Sequence, residues 1–180
     1  MSTATSLAIV ARLTGTESLT GNPLAVKALA SQTRLATLLT TDPNTGAALT
    51  MTDPITGAVT ARQASDCVRW GSKGANAVFP EITFRPSAGV PNKTFSDGSF
   101  AVDDGAYDFE IWDNSNSGTL MTDIMDCLLD LLDRRYGAPQ LPMVKGISFW
   151  VETLVTPVAW YDTQIKSWFL LWRVRVTEGR

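Results

Sequence analysis

Val78-Phe79-Pro80-Glu81-Ile82-Thr83-Phe84, Ala106-Tyr107-Asp108-Phe109-Glu110-Ile111-Trp112 and the run over residues 119–136 follow one another in this order, and their reading decides the fold. The second run alternates. Tyr107, Phe109 and Ile111 share one face, and Asp108 and Glu110 the other. Period-two alternation rich in aromatic residues marks a half-buried strand. Asp113-Asn114-Ser115-Asn116-Ser117-Gly118 is the turn that closes it. In the third run Leu120, Ile124, Leu128 and Leu132 recur every fourth residue, flanked by Met121, Met125, Leu129 and Leu131. Asp123, Asp126, Asp130 and Asp133 fall on the opposite side. This spacing predicts a helix over residues 119–136, stopped by a Gly cap at Gly137 and by Pro139.

Upstream, Leu7, Val10 and Leu13 with Ala4, Ala8 and Ala11 predict a short helix, capped by Thr3 or Thr5 and ended by Gly15. Asn22-Pro23 reads as an N-cap followed by Pro at the first helical position, opening a second short helix striped by Leu24, Ala28 and Leu29. Next, Thr41-Asp42-Pro43-Asn44-Thr45-Gly46-Ala47 returns as Thr52-Asp53-Pro54-Ile55-Thr56-Gly57-Ala58. Asp bonds its own turn backbone, Pro fixes φ, and Gly tolerates the left-handed conformation. A type I turn closing on a Gly bulge is the hairpin these pieces build. Two such turns predict a Thr-rich, three-stranded meander over residues 34–62. It projects as an arm and completes its packing on a neighbour; the plainer reading folds it onto its own domain. A calcium loop is disfavoured, because each turn offers one carboxylate where calcium takes six to eight oxygens.

Cys67-Val68-Arg69-Trp70 reads as a short strand and Gly71-Ser72-Lys73-Gly74 as a turn that lacks phosphate-loop spacing. Residues 85–99 read as a long loop, a natural contact to another component. Downstream, residues 145–152 read as a strand, Pro157 as an interruption, and residues 160–167 as a turn region. The last strand sets Trp168, Leu170, Trp172, Val174 and Val176 on one face and Phe169, Leu171, Arg173 and Arg175 on the other. Its first half is apolar on both faces, which requires cover on both. Four of the 6 tryptophans, Trp150, Trp160, Trp168 and Trp172, lie in this segment. The ordinary role for them is core filling; Trp is also enriched at interface hot spots, and at least one is expected to be interfacial.

The chain has 180 residues, 44% hydrophobic and 18% charged, the balance of one globular domain spanning residues 1–180. Its net charge of −3 disfavours gripping phosphate backbones and suits a surface that DNA slides past. No apolar run approaches the roughly 20 residues that span a bilayer, and the N-terminus lacks the basic start of a signal peptide. Synthesis in the cytoplasm is therefore expected. Cys67 and Cys127 read as buried free thiols, with a disulfide the minor alternative in a reducing compartment.

The order of these elements resembles the tail terminator (tail completion) proteins of long-tailed bacteriophages. The resemblance lies in the Phe-Pro-x-Ile-Thr-Phe strand at Phe79 to Phe84, the long loop, the Tyr-x-Phe-x-Ile-Trp strand at Tyr107 to Trp112, and the apolar-acidic helix from Leu120 to Leu132. It covers about a third of the chain and is one of pattern and order. The elements read above give an α+β chain, an antiparallel sheet of about four main strands flanked by helices; the resemblance implies a small α/β fold with an antiparallel sheet and flanking helices. It further implies a homo-hexameric ring that caps the tail tube at the head–tail junction of the virion, assembled in the host cytoplasm. The implied partners are the tail tube protein and the head–tail connector or stopper protein, with a sheath protein as a further candidate. DNA would pass through the channel without specific binding, and no membrane would be involved. On this reading Trp150, Trp160, Trp168, Trp172, Asp42 and Asp53 are interface candidates, and Asp123, Asp126, Asp130 and Asp133 form an acidic ring surface. No cofactor and no catalysis are expected. Another tail component, of tube or baseplate, is the near variant.

The chain contains no His, which removes Ser-His-Asp and Cys-His catalysis and His-ligated zinc. Two cysteines cannot make a Cys-only zinc site, and no dinucleotide fingerprint is present. The enzymatic alternative is a small Mg²⁺-dependent nuclease using Asp108, Glu110 and Asp123. The plainer reading of Asp108 and Glu110 is a solvated strand face, and of Asp123 an acid favoured near a helix N-terminus.

Overall fold

The computed structural model describes residues 3–17, 19, 25–71, 79–87, 93–96, 101–115, 118–144 and 147–179. Helix α1 (Thr3–Thr14) forms where Ala4, Ala8, Ile9 and Leu13 give an apolar stripe at helical spacing, and all four are buried. Helix α2 (Val26–Thr40) is longer than expected. Ala28, Gln32, Leu35 and Leu39 form its buried stripe, which continues through residues 34–40. Their Thr content points to strand, as the meander over residues 34–62 requires, but the buried stripe decides for helix. In the helix the hydroxyls of Thr33, Thr37 and Thr40 donate to carbonyls four residues back, at 3.2, 3.1 and 2.8 Å. The Asn22-Pro23 helix start, the turn after Gly71 and parts of the 85–99 loop lie outside the described residues.

The meander is therefore reduced to a two-stranded antiparallel ribbon, β1 (Thr50–Thr52) with β2 (Val59–Ala61), preceded by a single bridge between Thr41 and Ala48. Among the described residues the main sheet has seven strands rather than about four. These are β3 (Val68–Trp70), β4 (Glu81–Pro86), β5 (Lys93–Ser96), β6 (Ala101–Asp113), β7 (Leu141–Val144), β8 (Ile147–Asp162) and β9 (Ser167–Gly179). The order is β3-β4-β6-β9-β8-β7, with β5 on β6 beyond the end of β4. The four expected strands are its antiparallel centre, β4-β6-β9-β8, while β3 joins β4 in parallel. The 85–99 loop thus contains a strand.

Helix α3 (Thr119–Leu132) ends earlier than expected. Asp133 leaves helical geometry and its carboxylate accepts the amide of Arg135, starting a 3-10 turn over Arg134–Tyr136. Gly137 then adopts φ 86°, the left-handed cap anticipated from sequence. Strand β8 runs straight through Pro157 to Asp162, so Trp160 lies in a strand and the turn shrinks to residues 163–166. Two one-residue register shifts, between Thr153 and Val155 and between Val155 and Val158, leave Pro157 without a β9 partner. A proline is tolerated at such a bulge because no ladder bond is asked of it.

Helices α1 and α3 pack on one sheet face, with α2 against α3, over a core of Ile82, Phe84, Phe109, Ile111, Phe149, Leu170, Trp172 and Val174, all buried. Each fully buried side chain of this kind contributes about 1.5–3 kcal/mol relative to exposure. An aromatic row crosses four strands in register: Trp70, Phe84, Phe109 and Trp172, with successive ring centroids 5.2, 5.4 and 5.2 Å apart. Cys67 and Cys127 are free and buried. Among the described residues no helix is long and apolar enough to cross a membrane.

Candidate assembly surface

The second face of the sheet is charged within and apolar toward β8. Asp108 and Glu110 are not a solvated face: both are buried. Arg173 on β9 donates to both Asp108 oxygens, at 2.6 and 3.0 Å, and Arg85 on β4 donates to Glu110 at 2.7 Å. Arg69 on β3 lies 3.3 Å from Glu81 on β4. Each carboxylate meets a cation from a neighbouring strand, as the register dictates. The hydrogen bonds to Asp108 hold the Arg173 guanidinium above its usual pKa. Asp123 sits on α3, which packs on the opposite sheet face, and Arg34 of α2 pairs with it at 2.5 Å. The three acids of the nuclease alternative are therefore divided between the two sides of the sheet. Among the described residues no group of three His, Cys, Asp or Glu side chains converges as a metal site.

The four helix-face acids have four different settings. Asp123 pairs with Arg34, and Asp130 with Lys27 at 2.5 Å and with the Ser31 hydroxyl at 2.9 Å. These contacts clamp α3 to α2. Asp126 is exposed. Asp133 is fully buried, so it does not belong to an acidic surface. It accepts the Thr153 amide at 3.0 Å and the Thr153 hydroxyl, which in turn accepts Trp172 Nε1 at 2.9 Å. Burial pushes the Asp133 pKa up, but the hydrogen bonds from Thr153 and Arg135 outweigh it, and the net shift is downward.

The tryptophans divide as well. Trp172 is core, and Trp168 packs on the core with its ring 3.5 Å from where a Cβ on Gly118 would stand. Trp160, 42% exposed, lies on the second face against Phe169, 4.3 Å between ring centroids. Trp112 packs at a tilt against the same Phe169, also at 4.3 Å. Here is the cover that the doubly apolar start of β9 required. Trp150 is 37% exposed on the same face. Leu154, Val155, Val158, Tyr161 and Ile165 are exposed along the same hairpin. Beyond Thr153, no described strand pairs with β8 on the side away from β9. A shallow pocket of about 130 Å³ opens where the register shifts, lined by Val155, Thr156, Val158, Leu171 and Arg173.

Asp42 and Asp53 build the two turns of the ribbon in the same way. Asp42 Oδ1 accepts the amides of Asn44 and Thr45 at 2.7 and 3.1 Å, and Asp53 Oδ1 those of Ile55 and Thr56 at 2.7 and 3.1 Å. Gly46 and Gly57 both have φ 70°. The backbone amides of Ile55 and Thr56 lower the Asp53 pKa, so it stays ionised. A third copy of this turn joins β8 to β9. Asp162 Oδ1 accepts the amides of Gln164 and Ile165 at 2.8 and 3.2 Å, and Lys166 takes the left-handed position at φ 50°. Sequence reading missed this copy because Thr163, Ile165 and Lys166 stand where the repeat has Pro, Thr and Gly.

No residue from 41 to 61 is buried, and the side chain of Ile55 at the second turn is 92% exposed. Arg62 roots the ribbon. It is buried, its amide donates to the Leu49 carbonyl at 2.9 Å, and its guanidinium meets the carbonyls of Phe79 and Pro80.

No protein-family model matches the chain, and no curated protein matches it. Among solved structures, a chain from the virion of a native gene transfer agent (GTA) particle overlaps it with a TM-score of 0.45 at 10% sequence identity. The overlap covers 64% of this chain and 81% of that one.

Proposed function

We propose that this chain is a structural virion protein: a tail terminator whose copies form a hexameric ring that ends the tail tube and receives the head connector. The observation that carries the assembly part is apolar surface left exposed among the described residues. A two-stranded ribbon is marginal alone in water, and here none of its residues is buried. The β8–β9 hairpin exposes Leu154, Val155, Val158, Trp160 and Tyr161 along one strand. By register Val155, Val158 and Trp160 share one face there, and apolar surface exposed on an edge strand marks a protein–protein contact. The terminator role within that class rests on the sequence order of the 79–84 strand, the 107–112 strand and the 119–132 helix. The tube protein, the connector or stopper, and the sheath are the partners this role implies.

This role needs no turnover and no cofactor. The internal pairing of Asp108 and Glu110 supports it over the nuclease alternative, since both carboxylates are already committed to Arg173 and Arg85. Deleting the gene tests the role. Terminator loss yields heads without tails joined to them and tubes of uncontrolled length. Normal particles from the deletion, or divalent-metal-dependent DNA cleavage by the pure protein that Asp108→Asn abolishes, would contradict it.

A further inference from the structure

We draw no further inference here: the strongest candidate, the apolar surface exposed along the β8–β9 hairpin at Leu154, Val155, Val158, Trp160 and Tyr161 with the shallow pocket beside Val158, carries nothing, because the hairpin is charge-neutral over residues 147–179 and nothing in the structure shows what covers it.

Discussion

Thr153 presents both its backbone amide, at 3.0 Å, and its hydroxyl to the buried carboxylate of Asp133, so the end of α3 is fastened to the middle of β8. The same hydroxyl accepts Trp172 Nε1 at 2.9 Å, extending the link into the core of β9. Asp133→Ala leaves the Thr153 amide and Arg135 without their acceptor. We expect a loss of about 2–4 kcal/mol by urea unfolding, and a smaller loss for Asp133→Asn, which keeps an acceptor.

The same residue sets an acid sensitivity. Its folded pKa is depressed below the ordinary Asp value of about 3.9. Its contribution is therefore complete above that value and is lost as pH falls through the folded pKa. The wild-type protein should lose stability more steeply than Asp133→Asn below about pH 4. Parallel curves of unfolding midpoint against pH would contradict this.

Arg12 is the fully buried cation of α1. It donates to the carbonyls of Leu131, Pro139 and Gln140 at 3.0, 3.0 and 2.7 Å and pairs with Glu17 at 2.8 Å. Arg12→Met keeps the apolar stem but strands Glu17 and three carbonyls. The expected loss is about 3–5 kcal/mol. Adding Glu17→Gln should recover part of it, a coupling that a double-mutant cycle measures directly.

Lys166 occupies the position that Gly46 and Gly57 hold in the sister turns, at φ 50°. The left-handed conformation costs an ordinary residue about 1–2 kcal/mol, partly offset by the greater freedom Gly has when unfolded. Lys166→Gly should raise stability by about 0.5–1 kcal/mol, read as a higher thermal midpoint. Gly57→Lys should leave the thermal midpoint of the whole protein almost unmoved, since no residue from 41 to 61 is buried.

Arg173 supports Asp108 through two parallel bonds, and its side chain is 34% exposed. Water screening reduces what the pair contributes, so Arg173→Ala should cost only about 1–2 kcal/mol. Arg173→Lys restores the charge but not the fork, and should recover less than half of that loss.

Local pattern carried much of this architecture. The alternation at Tyr107 to Ile111 and the four-residue spacing from Leu120 to Leu132 each became the element their period requires. The repeated Asp-Pro-x-Thr-Gly turns formed as their chemistry demands. What escaped depended on distant residues. Asp108 and Glu110 looked solvated because their cations lie 65 and 25 residues away along the chain. Residues 34–40 looked like strand by their Thr content, until burial of Leu35 and Leu39 on α3 decided for helix. Pro157 looked like a break, because sequence does not show that a bulge will fall at that residue.

The measurement that tests the central claim most directly is the number of copies of this chain per purified particle, by quantitative mass spectrometry against the portal protein. A single ring at the head–tail junction predicts about six copies. Hundreds of copies would place the chain in the tube or sheath, and absence from particles would contradict a structural role in the virion.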